Sequence, residues 1–361
     1  MKIGIIASIW ISNPPKGFGF GAQEYLTYQL AEKLLKKGHD VTLFATGDSQ
    51  TNAKLISVIP TQLIDDPSAT PEMRNEAEIR NVAEAYKHSS EFDIIHNHLL
   101  PNALSFAAAS TIKTVHTLHH LIYLDKPDFQ LYQKYKDQNY VSISNNQRNQ
   151  VPNLNYVATV YNGIDTGFYK YKEVPDDSYL LYIGRMKKYK GIHTAIKVAK
   201  ELDIPLKIAS PLPSPGQYDY QEVMDYYNEQ IKPFENDKIE FINGVEGDNK
   251  VRLLQNARAF LFPVERNEPF GMTIIESMAC GAPVIAYDQG ATTEIVDNNV
   301  DGFLCKEYDQ LKSSVQTILE MDTQAYTSFR KNARSHVEKS FSIEKMVDGY
   351  ERVYEKILTS A

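Results

Sequence analysis

The chain has 361 residues, which is enough for two domains with separate hydrophobic cores. Its 42% hydrophobic and 23% charged composition is that of an ordinary soluble globular protein, and its net charge of −8 argues against a nucleic-acid-binding protein, because such proteins carry a basic excess. The two cysteines, Cys280 and Cys305, are too few for a disulfide framework and favour a reducing cytoplasm.

The first apolar run covers residues 3–11. It is too short for a membrane span, which needs about 20 apolar residues. Lys2 precedes it, as in a signal peptide, but no small-residue cleavage pattern follows. We therefore predict that this run is the first core strand.

Strands and helices alternate along the first half of the chain. The predicted helix at 22–38 follows the first strand, and further predicted strands cover 40–46, 92–98, 113–119, 140–145 and 157–162. Unbroken apolar strands that alternate with helices are typical of a parallel sheet covered on both faces.

The pattern restarts after "YNGID" at 161–165. Predicted strands lie at 179–185, 205–210, 238–243, 258–264 and 283–288, with predicted helices at 191–202, 249–257 and 272–281. We predict an α/β protein with two doubly wound, Rossmann-like domains, 1–165 and 166–342. Because such sheets bind ligands beyond the carboxyl ends of their strands, we expect the site in the cleft between the domains.

A final predicted helix covers residues 343–358. Its apolar side chains fall on one face at helical spacing, namely Met346, Tyr350, Val353, Tyr354 and Ile357. This face must be buried, and either domain offers a surface for it.

The stretch 267–290, "NEPFGMTIIESMACGAPVIAYDQG", carries the strongest candidate site. Glu268 lies in a loop, and Glu276 lies on the helix that follows, so the two carboxylates suit two separate hydroxyl pairs of one extended ligand. Backbone N–H groups at the helix start suit phosphate or sugar oxygens, and they belong to Phe270, Gly271, Met272 and Thr273. The alternative interpretation is a surface charge and a helix-start charge.

A second candidate segment is "YIGRMKKYKGI" at 182–192. A predicted strand ends at Gly184 and Arg185, and a helix begins after Lys190, so the two cations could converge on a diphosphate. A solvated basic turn is the alternative. The sequence contains no Asp-x-Asp pair of the kind that holds a metal on a nucleotide diphosphate, so we predict no metal and expect fixed cations to stabilise the leaving group.

Taken together, these segments resemble the retaining, GT-B-fold glycosyltransferases called family 4, or glycosyl transferases group 1. The resemblance extends over nearly the whole chain. Its most specific part is the pair Glu268 and Glu276, separated by seven residues and followed by "ESMACGAPVIAYDQGATTEIV" and "DGFL". "YNGID" and the segment from Gly184 to Gly191 also match.

The resemblance implies a role for each matched residue. Glu268 would contact the hydroxyls of the donor sugar, Glu276 would hold the ribose, and Arg185 and Lys190 would neutralise the departing diphosphate. The segment 242–254 resembles the one that receives the base, which places Gly244 and Val245 beside it. The resemblance also implies that the final helix, 343–358, crosses back and packs on the N-terminal domain, 1–165. The proline-rich segment 211–220 departs from the family's glycine-rich turn, so we expect fewer backbone contacts there.

The loop 12–25 contains Gly17, Gly19 and Gly21, which with Asp48 mimic a dinucleotide fingerprint. A dinucleotide turn follows its strand directly, whereas Pro14 and Pro15 lengthen this loop. The family resemblance instead implies that Gly19 and Gly21 approach the donor phosphate or the acceptor.

Five histidines cluster near predicted strand ends, namely His96, His98, His116, His119 and His120. A metal site is one interpretation, but no acidic or cysteine ligand lies at matching spacing. The family carries a histidine near the reacting sugar, and the resemblance implies His116 for this role, with His119 as the alternative.

The resulting prediction is an enzyme that moves a sugar from a UDP-, GDP- or ADP-sugar to a hydroxyl of a small molecule, glycan or lipid-linked acceptor. The resemblance implies retention of anomeric configuration by front-face substitution, and we predict neither a metal or other cofactor nor a nucleic-acid partner. We expect a cytoplasmic enzyme, with peripheral membrane attachment left open. The alternatives are a glycoside phosphorylase on the same scaffold, a non-catalytic two-lobed sugar-binding protein and a nicotinamide dehydrogenase.

Overall fold

A computed structural model describes residues 1–16, 21–66, 68–176, 178–214 and 219–360. These residues form two compact units. Among them, unit 1 contains 1–16, 21–163 and 343–360, and unit 2 contains 164–342.

Unit 1 is built on a parallel sheet that has seven strands in the described ranges, in the order β3-β2-β1-β4-β5-β6-β7. The strands are β1 (Lys2–Ile6), β2 (Asp40–Phe44), β3 (Lys54–Ile56), β4 (Ile94–Asn97), β5 (Thr114–Leu118), β6 (Asn139–Ser142) and β7 (Tyr156–Thr159). The helices that connect them are α1 (Ala22–Lys36), α2 (Pro71–Lys87), α3 (Leu104–Ala109), α4 (Asp128–Lys134) and α5 (Asn145–Gln150). The strand order reverses between β1 and β4.

Unit 2 has a second parallel sheet, with six strands among its described residues, in the order β10-β9-β8-β11-β12-β13. The strands are β8 (Tyr179–Ile183), β9 (Leu206–Ser210), β10 (Ile239–Asn243), β11 (Ala257–Phe262), β12 (Val284–Tyr287) and β13 (Gly302–Cys305). The helices are α6 (Ile192–Leu202), α7 (Tyr220–Gln230), α8 (Gly247–Asn256), α9 (Met272–Cys280), α10 (Thr292–Ile295), α11 (Tyr308–Glu320) and α12 (Thr323–Ser340). Here the order reverses between β8 and β11.

The central strands are buried on both faces. Ile5 and Ile6 of β1, like Leu180 and Leu181 of β8, have no exposed surface. Neighbouring side chains of a strand point to opposite faces, so a strand covered on both faces reads as an unbroken apolar run. The predicted α/β class with two parallel Rossmann-like sheets is confirmed.

The last helix, α13 (Ile343–Thr359), belongs to unit 1 and packs against α1. All five apolar side chains of its predicted stripe are buried. Lys33 of α1 and Lys37, which directly follows α1, also form ion pairs with acidic residues of α13. A buried apolar side chain contributes about 1.5–3 kcal/mol and an exposed ion pair about 0–1 kcal/mol, so the stripe holds the helix in place.

No helix within the described ranges is both long and apolar enough to cross a membrane. Cys280 and Cys305 are buried free thiols. Burial raises the pKa of Cys280 to about 12, so this thiol is held as an unreactive packing group.

Candidate functional site

Lys190 and Glu268 meet where the strand order of unit 2 reverses. Lys190 lies on the turn after β8, and Glu268 lies in the loop after β11, the neighbouring strand. The Lys190 Nζ is 2.6 Å from Oε2 of Glu268, and the two side chains are 9% and 20% exposed. The carboxyl ends of parallel strands at such a reversal are the usual ligand site of this class of sheet.

A glycine allows the turn after β8 to approach the end of β11. Gly191 has φ +77°, and a Cβ atom there would lie 2.0 Å from the carbonyl oxygen of Pro263. Any side chain at this position would push Lys190 away from the loop that carries Glu268.

A second glycine holds the backbone of Glu268. Gly290 has φ +64°, and its missing Cβ would lie 2.3 Å from the Glu268 nitrogen and 2.4 Å from the Glu268 oxygen. The N–H of Ala291 donates to the same Glu268 oxygen at 3.0 Å. The loop after β12 therefore contacts the backbone of Glu268 and holds it in place.

Two cations lie close together at this edge of the sheet. Burial lowers the pKa of Lys190, the nearby positive charge of Arg185 adds to the shift, and the Glu268 carboxylate opposes it. Arg185 is itself exposed and donates to the Tyr189 hydroxyl at 3.3 Å. Two cations that repel each other favour a bound anion, because the anion relieves the repulsion.

The start of α9 adds backbone donors to this positive environment. Its N-cap, Gly271, has φ +116°, and no side chain caps the helix. Phe270 is 2% exposed and packs edge-on against Phe341, with the ring centroids 5.9 Å apart, so the turn is anchored. Met272 and Thr273 are partly exposed. An N-terminus of this kind carries about half a positive charge and attracts anionic ligands.

Glu276 is 6% exposed and held by two residues that the sequence interpretation missed. Its Oε1 accepts a hydrogen bond from the Tyr169 hydroxyl at 2.8 Å, and its Oε2 lies 2.6 Å from Nζ of Lys250 on α8. An ionised carboxylate has about four lone-pair sites, so it can still accept hydroxyl hydrogens from a ligand.

Two arginines of α12 fix the segment that carries Tyr169. Arg334 donates to the carbonyl oxygens of Tyr169 and Thr166 at 2.6 and 3.0 Å. Arg330, which has no exposed surface, donates to the Lys172 oxygen at 2.7 Å. Nothing in the local pattern around Tyr169 indicates this role, because its partner Glu276 lies 107 residues further along the chain.

The other predicted residues of unit 2 lie at the same edge of the sheet. Gly184 follows β8, and its N–H donates to Ala209 at 3.2 Å. Gly244 follows β10 with φ +74°, and Val245 beside it is half-buried. Of the proline-rich segment, residues 215–218 lie outside the described residues.

In unit 1, Gly21 is the N-cap of α1 and has φ +102°. The predicted contacts of Gly17 and Gly19 lie outside the described residues. Asp48, the acid of the alternative dinucleotide interpretation, forms an ion pair with Lys16 at 3.3 Å.

The structure argues against His116 as the histidine that contacts a ligand. It lies within β5, has no exposed surface and accepts a hydrogen bond from Asn97 at 3.0 Å. Burial lowers its pKa to about 3. His119 follows the carboxyl end of β5 and is partly exposed. A side chain without exposed surface cannot touch a substrate, so His119, the alternative, is the better candidate of the two for a ligand contact in unit 1.

Asp297, Asp301 and His336 form the group of three possible metal ligands found among the described residues, with ligand atoms within 4.8 Å of one another. It lies in unit 2, in the loop before β13 and on α12. The Asp301 Oδ2 is 2.7 Å from the Nδ1 of His336, so these two side chains already bind each other.

This pair predicts a pH dependence of stability. The hydrogen bond to Asp301 raises the pKa of His336 above its ordinary value, with Asp297 adding to the effect. A raised histidine pKa stabilises the fold below about pH 6.5, and this contribution is lost as the pH rises through the folded-state pKa. We expect the melting temperature to fall less between about pH 6 and about pH 8.5 in His336→Gln than in the wild type. Asp301→Asn should flatten the profile in the same way, and an unchanged slope in both variants would contradict this assignment.

Two models of known protein families together match most of the chain. The family model described as "Glycosyl transferases group 1" matches residues 165–336, and that described as "Glycosyltransferase Family 4" matches residues 23–168. N-acetyl-alpha-D-glucosaminyl L-malate synthase of Bacillus anthracis is 27% identical over 218 residues, which is 56% of this chain. The matched region spans 54% of that relative's length.

Solved structures share the fold. Sucrose-phosphate synthase from Thermosynechococcus elongatus has a TM-score of 0.81 at 20% identity, with both chains fully covered. The Anabaena protein HepE, in complex with UDP, has a TM-score of 0.75 at 19% identity and covers 99% of this chain and all of its own. At these identities the likeness concerns the fold.

Proposed function

Because the chain belongs to the group 1, family 4 glycosyltransferases, we propose that it transfers a sugar from a nucleoside-diphosphate sugar to a hydroxyl acceptor, with retention of configuration and without a metal. The observation that carries this proposal is the Lys190–Glu268 pair at the sheet reversal of unit 2, beside the uncapped start of α9. UDP in the HepE structure supports a nucleotide donor.

Each group has a part in holding the donor. Lys190 uses one of its three N–H donors on Glu268, which leaves two for diphosphate oxygens. Arg185 contributes a second charge from the exposed side, and the backbone from Phe270 to Thr273 receives phosphate or sugar oxygens. Glu268 accepts hydrogen bonds from the transferred sugar.

A second set of groups binds the nucleoside end of the donor. Glu276, oriented by Tyr169 and Lys250, accepts from the ribose hydroxyls. Gly184 lines the strand end, and Gly244 and Val245 receive the base. Residues 166–342 thus act as the donor-binding part, and residues 1–165 as the acceptor-binding part with the loop at Gly19 and Gly21.

The reaction needs no enzyme nucleophile. The bond between the anomeric carbon and the diphosphate oxygen breaks, and the acceptor oxygen bonds to the same carbon on the same face. The departing diphosphate oxygen takes the acceptor proton, so the products are the glycoside and a protonated nucleoside diphosphate. Charge gathers on that diphosphate in the transition state, where Lys190, Arg185 and the start of α9 stabilise it.

We assign the enzyme to the cytoplasm because both cysteines are buried and unpaired. The acceptor is a small molecule, a glycan or a lipid-linked sugar, and a lipid-linked acceptor would place the enzyme at the membrane surface.

A thermal-shift panel of UDP-, GDP- and ADP-sugars tests the donor. We expect one base to stabilise unit 2, by about 2.7 kcal/mol when the donor is present at 100 times its dissociation constant. Glu276→Gln should lose this shift because the variant no longer holds the ribose as strongly. Glu265→Gln is a matched control, because that carboxylate is 43% exposed and pairs with His193 instead.

The activity assay compares sugar transfer from the stabilising donor with phosphate-dependent cleavage of disaccharides. Transfer without phosphate is the expected result. Absence of a shift with every donor, together with phosphate-dependent cleavage, would replace the transferase with a phosphorylase.

A further inference from the structure

His98 and His119 lie at the carboxyl ends of neighbouring strands in unit 1. His98 directly follows β4, which lies where the strand order reverses, and His119 directly follows β5. The His98 N–H donates to the Ile6 oxygen at 3.0 Å, and its carbonyl accepts from Gln23 at 2.9 Å. The backbone of His98 is therefore fixed by both β1 and α1.

The two imidazoles bind each other directly. The His98 Nδ1 is 2.7 Å from the His119 Nε2, and the rings are 24° from parallel. Loss of hydration lowers the pKa of both groups well below the ordinary value, and neighbouring histidines add to the shift. Both rings are therefore neutral near pH 7, and one of these two nitrogens donates while the other accepts.

The remaining ring nitrogen of His98 determines which of the two histidines donates the hydrogen bond between them. Its Nε2 is buried and has no hydrogen-bond partner among the described residues. A proton on this nitrogen would be a buried donor without an acceptor, and orphaned N–H groups are rarer in proteins than unmatched acceptors. The lower-energy arrangement places the His98 proton on Nδ1, where the His119 Nε2 accepts it.

A third histidine keeps His98 in this position. The ring of His96 lies 4.0 Å from that of His98, between centroids. Both nitrogens of His96 are engaged, Nδ1 with the Tyr354 hydroxyl and Nε2 with the Thr117 hydroxyl, each at 2.7 Å. Because His96 is locked from β5 and from α13, the His98 ring is held between His96 and His119.

We infer that His98 is a positioning residue that locks His119 in the Nδ1–H form, so that His119 offers a ligand oxygen a hydrogen-bond donor and does not act as a base. That the ligand carrying this oxygen is a substrate of sugar transfer rests on the proposed function. The arrangement agrees with a reaction in which the departing diphosphate accepts the acceptor proton.

The tautomers are measured directly by long-range ¹H–¹⁵N NMR on protein labelled in its histidine rings. The chain has nine histidines, and His98→Asn and His119→Gln variants assign the two of interest. We expect Nδ1–H for both. An Nε2–H signal from His119 would overturn the inference. This measurement uses the free protein and is independent of any enzymatic activity.

Kinetics of matched variants test the consequence. An asparagine amide lies near the position of Nδ1 and a glutamine amide near that of Nε2, so His119→Asn should retain about tenfold more turnover than His119→Gln, the value of one hydrogen bond. Likewise, His98→Asn keeps a donor towards His119, whereas His98→Leu removes it and should lower kcat about tenfold with little change in KM.

Equal turnover in His98→Leu and wild type, or a more active His119→Gln than His119→Asn, would overturn the inference. If His98→Leu does not fold, the NMR signals of the histidine rings in the wild-type protein test the inference by themselves. A protein that transfers no sugar from any nucleotide donor would contradict the proposed function while leaving the tautomer measurement intact.

Discussion

Lys190→Ala is expected to lower kcat by about 10²–10³-fold, the usual cost of removing one fixed group that stabilises developing charge. Lys190 is the buried cation at the sheet reversal, and its Nζ is held at 2.6 Å from Glu268. Because the ion pair fixes this atom before substrate binds, the donor diphosphate meets a charge that needs no reorganisation. Glu268→Gln, which keeps the shape and removes the charge, should lower turnover through both the sugar contact and the position of Lys190.

Steady-state kinetics with the donor found in the thermal-shift panel measure these effects. Lys188→Ala is the matched control, because Lys188 lies on the same turn and is exposed. Thermal unfolding of each variant separates loss of chemistry from loss of fold. Turnover near that of the wild type in both Lys190→Ala and Glu268→Gln would remove the assignment of this site.

Gly290→Ala is expected to destabilise unit 2 by about 2–4 kcal/mol, from steric overlap and backbone strain together. The added Cβ would lie 2.3 and 2.4 Å from backbone atoms of Glu268, at φ +64°. Because both are main-chain atoms, no side-chain rotation relieves the overlap, and either the loop after β12 or Glu268 must move. A shift of about 1 Å in Glu268 should lower turnover by about 10²-fold.

Gly38→Ala separates these two causes. Gly38 also has a positive φ, +88°, but no described heavy atom lies within 4 Å of its missing Cβ. It should therefore cost only the backbone strain, about 1–2 kcal/mol, and leave turnover unchanged. Urea unfolding gives the two free energies. Equal destabilisation by the two substitutions, or full activity in Gly290→Ala, would show that the contact with Glu268 does not shape the site.

The sequence indicated strands more reliably than helices. β1, β8 and β11 are buried and read as apolar runs, but α2 (Pro71–Lys87) gave no such signal. Its buried residues are the small or polar Ala77, Asn81 and Ala85 together with Val82. Asn81 is buried because it donates to the carbonyl oxygens of Ala7 and Phe44 at 3.1 Å, a role that hydrophobic periodicity does not reveal.

The choice between His116 and His119 shows a similar limit. The two residues are three apart, so a strand that covered both would place them on opposite faces, and their sequence neighbourhoods are alike. β5 ends at Leu118. The end of the strand decides which histidine is partly exposed, and strand ends are the least certain part of any assignment from sequence.

By itself, the sequence determined the α/β class, the two series of strands, and the position of Glu268 and Glu276 on either side of a helix start. These properties follow from apolar period, turn residues and spacing, all of which act between near neighbours in the chain. Only the tertiary structure decided that Lys190 meets Glu268 across 78 residues, and that Tyr169 and Lys250 hold Glu276. Such contacts depend on which strands lie side by side at the reversal of the sheet, and that order is set by packing of the whole unit.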